Sequence, residues 1–218
     1  NEGKLNSLKT KLLEKYRGDF RCLLFDYESI DSIHVLAKSI EEPIDGLVII
    51  PKRPAMPSSE IPSPELWNVT FNQCFIAPLE FIRVLSTQLK AESSLVVISG
   101  ISSVYFVPAY ANSNLLRVMW TAEVKNLSRQ LANKHIRVNE ISPAVILTEY
   151  SIGKIEEKAQ LAQRTYEEQL ALDAKETPLQ RLGKPSDVAN LVEFLLSDNS
   201  RHINGSNIVL DGGLNCSY

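Results

Sequence analysis

Residues 93–148 read SSLVVISGISSVYFVPAYANSNLLRVMWTAEVKNLSRQLANKHIRVNEISPAVILT. Leu95, Val96, Val97 and Ile98 form an uninterrupted apolar run, the pattern of a strand covered on both faces. A Ser-rich turn follows, then a long helical pattern over 110–134 that opens with Tyr110. A second strand pattern over 136–141 runs into Ser142, Pro143 and Ala144. Strand, helix and strand in that order is the unit of a parallel sheet, because parallel strands need a crossover between them. In open α/β sheets, ligands collect at the carboxyl ends of the strands. Here that edge carries several serines and a tyrosine.

Working outward, the remaining segments alternate in the same way. Leu5, Leu8, Leu12 and Leu13 fall at helical spacing among lysines, predicting an amphipathic helix over 2–16. Residues 20–25 read as a short strand followed by Asp26. Asp31 is placed to cap a helix over 32–41. Leu47, Val48, Ile49 and Ile50 form a second buried strand pattern, and the Pro-rich stretch 51–64 is loop. A very apolar helix is predicted from Pro64 to about residue 90, with a kink at Pro78. Residues 151–174 read as a polar helical arm within a substrate-side segment, 151–184. Ser186 is placed to cap a last helix over 187–196, and Ile208, Val209 and Leu210 form a final strand before Asp211-Gly212-Gly213. This alternation predicts an α/β fold: a doubly wound parallel sheet in three α/β/α layers, with residues 1–218 as a single domain.

Composition narrows the function. A net charge of −3 gives no electrostatic footing for nucleic acid, and no run approaches the length of a membrane span. Cys22, Cys74 and Cys216 are widely spaced and are read as reduced thiols in a cytoplasmic protein without a leader sequence. His34, His135 and His202 are equally scattered, so no metal site is expected.

Taken together, Asn72 in a buried helix, the Ser-rich strand end, Tyr110-x-x-x-Asn114, Ile136-Arg137-Val138-Asn139, Ser142-Pro143-Ala144 with Thr148, Arg181-Leu182-Gly183 and Asp211-Gly212-Gly213 resemble the short-chain dehydrogenase/reductase family, in particular oxoacyl-carrier-protein reductases. The resemblance runs along essentially the whole chain. It implies a Rossmann-like sheet, NAD or NADP as cofactor, and a small-molecule substrate whose carbonyl and alcohol forms are interconverted. The family begins with a strand and a Gly-rich phosphate loop, whereas the nine glycines here are scattered. Either a preceding segment carries that loop or dinucleotide binding has been lost. A central strand left unpaired would expose an edge, which favours a segment missing from the N-terminal side.

By the same resemblance, Tyr110 is the acid–base residue, Asn72 supports a water relay, and Asn114 stands where the family has a lysine. An unperturbed tyrosine titrates near ~10, so such a group needs a cation close by. Asn114 is neutral, which leaves the oxidised nicotinamide, Lys52 or Arg117 to supply the charge. The family's serine aligns with Gly100; Ser102 is the preferred substitute, then Ser99, with Ser103 also near. Asp26, Ile50, Pro51, Asn114, Pro143, Ala144, Ile146 and Thr148 are the implied cofactor contacts. Read without the resemblance, the serines are equally caps and turn formers, and Asp26 a turn residue.

Asn114, Gly100, the Ile50-Pro51-Lys52 turn and the missing Gly-rich loop also permit a second reading, a catalytically impaired homologue acting as a binding or scaffold subunit. Under both readings the apolar helices over 65–90 and 110–134 imply a homodimer or homotetramer, because a monomer would expose a large apolar patch.

Overall fold

The computed structural model describes residues 2–26, 29–56 and 59–216. Among them, strands β1 (Ile44–Ile49), β2 (Leu89–Ile98), β3 (Arg137–Pro143) and β4 (Asn207–Leu210) lie in the order β1-β2-β3-β4, every neighbour parallel. The helices are α1 (Glu2–Lys15), α2 (Ile30–Lys38), α3 (Pro64–Phe71), α4 (Ala77–Leu85), α5 (Ala111–Gln130), α6 (Glu149–Leu161), α7 (Tyr166–Lys175) and α8 (Pro185–Leu196). Side chains alternate across a strand, so Leu95 and Val97 point to one face, where they pack with Ile82 of α4, Trp120 and Val124 of α5, and Val138. Val96 and Ile141 point to the other face and pack with Leu195 of α8. These are the three layers expected of a doubly wound sheet. No helix among the described residues is long and apolar enough to cross a membrane.

Several boundaries differ from the sequence reading. Residues 20–25 form no strand. A strand needs a hydrogen-bonding neighbour, and β1 pairs only with β2 among the described residues. Instead, Arg21 ties this stretch to Glu42 and the Ser39 carbonyl, and Phe25 stacks on Phe81 with ring centres 5.3 Å apart. The helix from Pro64 stops at Leu85, because β2 begins at Leu89 and extends well ahead of its apolar core. The polar arm is two helices, each with its own threonine cap, Thr148 for α6 and Thr165 for α7. Ser29, not Asp31, caps α2, and Pro185 occupies the first turn of α8 in place of a Ser186 cap.

Where a kink is expected at Pro78, the helix is interrupted by a π-helical turn just ahead of the proline. Residues Asn72–Ile76 make a π-helical turn between α3 and α4. Proline has no N–H to give to the carbonyl four residues earlier, which is that of Cys74. The Trp120 indole donates to that carbonyl instead, at 3.0 Å, and the Trp120 ring packs at 5.1 Å from Phe75. One backbone defect thereby fixes α5 against the α3–α4 pair.

At its start β3 is anchored by Arg137, which donates to the Leu195 and Ser197 carbonyls and to Ser200 Oγ at the end of α8. Two residues past Val138, on the same face, lies Glu140, fully buried at 0 % exposure. The hydroxyls of Thr121, Ser99 and Ser142 and the Arg117 guanidinium surround its carboxyl group, yet neither carboxyl oxygen has a well-formed hydrogen bond. Burial raises its pKa above the ordinary carboxylate value, and the neighbouring hydroxyls and Arg117 oppose that rise only in part. Alongside, Ser103 and Ser142 share a hydrogen bond of 2.7 Å, and Asn207 Nδ2 donates to Ser103 at 3.1 Å.

Two outcomes are expected. Trp120→Phe removes the indole donor and leaves a buried carbonyl unpaired, so urea denaturation should show a loss of about 2–4 kcal/mol. Glu140 loses its proton more easily in the unfolded chain than in the fold. Its stabilising share is therefore complete below its unfolded pKa, 4.5, and disappears as pH rises through the higher folded value. The stability advantage of Glu140→Gln over the wild type, measured by thermal melts across pH, should grow upward from that point; a flat difference would refute it.

Candidate active site

The carboxyl ends of β1, β2 and β3 meet the first turns of α5 and α6, and the candidate residues gather there. Tyr110 sits at the N-cap of α5, its backbone N–H bonded to the Val107 carbonyl at 2.9 Å. It is 42 % exposed, and its hydroxyl makes no hydrogen bond among the described residues. The Arg53 guanidinium lies over its ring, 4.6 Å from the centroid, and also over the ring of Tyr150 at 4.3 Å. Arg53 comes from the loop after β1, Tyr150 from the first turn of α6. The aromatic pair and the arginine therefore join three separate segments at one edge of the sheet. Arg53 was not singled out in the sequence. Its neighbour Lys52, one of the cations considered for Tyr110, instead donates to Gln73 at 2.6 Å.

Asn114 is 6 % exposed, with Nδ2 donating to the Val107 carbonyl at 3.2 Å and Oδ1 unpartnered. It holds the loop before Tyr110 in place. Arg117, one helical turn further on, is half-buried, and its guanidinium makes no hydrogen bond or ion pair among the described residues. Its Nε lies 3.8 Å from where a side chain at Gly100 would begin, and the Pro143 carbonyl is 4.0 Å from the same point. Gly100 has φ 175°, an extended conformation open to any residue. Glycine at this position is thus not a backbone requirement; it leaves space beside the arginine. Burial pulls the Arg117 pKa down, the Arg53 charge adds to this, and Cys74 and Glu140 oppose it. Cys74 is itself pushed up by burial, with Arg117 and Lys52 opposing.

The serines separate into different environments. Ser102 lies half-buried in the short turn Ile101–Ser103 and has no side-chain partner among the described residues. Ser99 is buried with its hydroxyl unpaired, facing Glu140. Ser103 is committed to Ser142. Asn72 opens the π turn, where its carbonyl accepts from Ala77, and its side chain makes no hydrogen bond among the described residues.

An open apolar trough of about 830 Å³ lies between these strand ends and α8, and Ile50, Ile98, Pro143, Ile146 and Thr148 line it. It brings four of the sequence-predicted cofactor residues together. Pro51 is buried beside it, while Asp26 stands apart at the start of α2, its N–H bonded to Ser32 Oγ. Ala144 faces a different pocket, against Leu179 and Arg181. Thr148 is occupied as the cap of α6. The trough fits the flat, apolar ring portion of a dinucleotide. Its one charged lining residue among those described is Glu193, so the fit covers the rings and not the pyrophosphate.

Known proteins bear on this arrangement. A family model described as enoyl-(acyl carrier protein) reductase matches residues 3–215. The dehydrogenase/reductase SDR family member 4 of Rattus norvegicus is 31 % identical over 152 residues, 68 % of this chain and 51 % of that protein. The 2,3-dihydro-2,3-dihydroxybenzoate dehydrogenase of Bacillus subtilis is 32 % identical over 202 residues, 86 % of this chain and 72 % of that protein. The chain spans about half the length of the first of these relatives. Among solved structures, L-sorbose reductase of Gluconobacter frateurii complexed with NADPH and L-sorbose superposes with a TM-score of 0.91 at 21 % identity, covering 99 % of this chain and 84 % of that one. With its sheet order, its strand-end site and a match along nearly its full length, the chain belongs to the short-chain dehydrogenase/reductase family.

Proposed function

We propose that this chain is the catalytic part of an NAD(P)-dependent oxidoreductase that interconverts a carbonyl compound and its alcohol, with residues 1–218 forming one Rossmann-type domain. Family membership supports the reaction type, and the NADPH in the L-sorbose reductase complex supports the cofactor class. The observation that carries the assignment to this edge of the sheet is Arg117, a half-buried guanidinium without a partner among the described residues, facing the space beside Gly100.

When bound, the dinucleotide supplies the hydride in reduction and accepts it in oxidation. Ile50, Pro143 and Ile146 give its rings apolar walls. The chain's own groups handle the oxygen. Arg117 donates a hydrogen bond to the carbonyl oxygen and stabilises the negative charge that develops there, the task of an oxyanion donor held in place before reaction. Tyr110 gives its phenolic proton to that oxygen in reduction and takes it back in oxidation. Ser102 is a hydroxyl of the adjacent turn left unengaged among the described residues, and Asn114 holds the loop that carries Tyr110.

The working form is a homo-oligomer built on the outer faces of α3, the π turn and α5. Val69, Ile76, Leu115 and Val118 are exposed there, and side chains of this kind are better covered than left in water.

The reading is tested by titrating the protein with NADH and NADPH, following cofactor fluorescence, and assaying a panel of aldehydes and ketones. Binding of neither cofactor at millimolar concentration would sink it. Arg117→Gln should lower kcat by about 100-fold or more while cofactor affinity stays within roughly threefold, and Arg117→Lys should recover part of the loss. Tyr110→Phe should lower kcat by about 100-fold or more as well. Leu115→Glu combined with Val118→Glu should shift sedimentation towards a monomer; unchanged sedimentation would place the interface elsewhere.

A further inference from the structure

The exposed guanidinium of Arg53 lies over the rings of two tyrosines, 4.6 Å from the Tyr110 centroid and 4.3 Å from that of Tyr150. Among the described residues it makes no hydrogen bond and no ion pair. A guanidinium that meets aromatic rings through its π face keeps its in-plane N–H donors available. Those donors form a rigid fork that matches a carboxylate or phosphate. Contact with two rings also favours one placement of the side chain, which lowers the ordering that opposes binding.

The surroundings favour an anion there. The charge of Arg53 acts on Arg117, and the two like charges repel. Lys154 of α6 lies close enough to Tyr150 and Tyr110 to feel both, and Glu157 holds its ammonium at 2.6 Å. Lys52 is next to Arg53 in sequence and is bonded to the neutral Gln73. Of the acids whose interactions with Lys154 and Arg117 are described, Glu157 is already paired and Glu140 is buried beside Arg117. A bound anion between the loop after β1 and the first turn of α6 relieves that repulsion.

We propose that Arg53, set over the rings of Tyr110 and Tyr150, binds a carboxylate carried by the carbonyl substrate, so that the enzyme acts on oxo acids or carboxylated aldehydes in preference to neutral ones. This rests on the oxidoreductase reading. Arg117 then takes the reacting oxygen and Arg53 the remote carboxylate, which fixes the carbonyl's orientation from two points. Phosphate chemistry fits the same fork, and the phosphates of the cofactor are the other possible source.

The test compares 4-carboxybenzaldehyde with its neutral methyl ester, methyl 4-formylbenzoate. The wild type should show a kcat/KM at least about tenfold higher for the acid, and that ratio should fall about tenfold or more in Arg53→Gln, the range for losing a hydrogen bond to a charged group. Terephthalate, which cannot be reduced at an aldehyde, serves as the direct binding probe by intrinsic fluorescence; its Kd should rise about tenfold or more in Arg53→Gln and less in Arg53→Lys. Equal use of acid and ester by the wild type overturns the inference while leaving carbonyl reduction intact. A ratio unchanged in Arg53→Gln, with both substrates or the melting temperature equally affected, shows that Arg53 only ties the loops together and also overturns it. Weakened NADPH binding with an unchanged ratio assigns Arg53 to a cofactor phosphate, again overturning it. Terephthalate binding without cofactor binding or turnover keeps the carboxylate site and removes the oxidoreductase reading.

Discussion

A missing N–H at Pro78 determines how the two long helical segments meet. The Cys74 carbonyl would ordinarily receive that hydrogen, and the Trp120 indole takes its place at 3.0 Å. A buried carbonyl without a partner is costly, so the contact fixes both the rotation of α5 about its axis and its height on the sheet. Everything that α5 presents follows from that setting. Trp120 and Val124 go to the core, Arg117 goes beside Gly100, and Tyr110 goes to the rim of the sheet.

The same face of the sheet carries an uncommon burden. Glu140 and Arg117 bring charge into a layer otherwise filled with leucine, valine and tryptophan, and a ring of hydroxyls moderates but does not cancel the cost of burying them. Burial pushes the glutamate towards its neutral form and weakens the arginine's hold on its proton, while each opposes the shift of the other. Glu140 thus limits the field that Arg117 projects into the space above it. A cluster of this kind costs stability and fits a site in which charge must be available before a substrate arrives.

Loops bring in the rest of the rim. Arg53 reaches from the segment after β1 to rings at the starts of α5 and α6. Its contacts link the loop after β1 to the starts of both helices at the entrance to the proposed site. The apolar trough lies between the strand ends and α8. The proposed cofactor surface and the cationic substrate surface therefore share the strand ends, one reaching towards α8 and the other towards the starts of α5 and α6.

Much of this architecture was legible in the sequence. The uninterrupted run of β2, the long apolar helices and their alternation identified a doubly wound sheet, because strands covered on both faces must be apolar throughout; the run 47–50 was read the same way, but among the described residues β1 is an edge strand that leaves Val48 and Ile50 exposed. That the helix would be interrupted near Pro78 was also legible, since proline's missing donor is a local property. The family resemblance had implied Ile50, Pro143, Ile146 and Thr148 as cofactor contacts, and the fold places these four along one trough. Residues 20–25 were misread as a strand because strand formation depends on a neighbour, and the local pattern says nothing about one. Arg53 and Glu140 were missed for related reasons. A lone acid in an apolar strand and an arginine in a Pro-rich loop were visible, but sequence does not show which groups will face them across the fold. Local pattern, then, determined the elements and their order. Which charges would be buried together, which ring would cover which cation and which carbonyl would lose its donor were decided only by tertiary packing, because those interactions act through space between residues far apart along the chain.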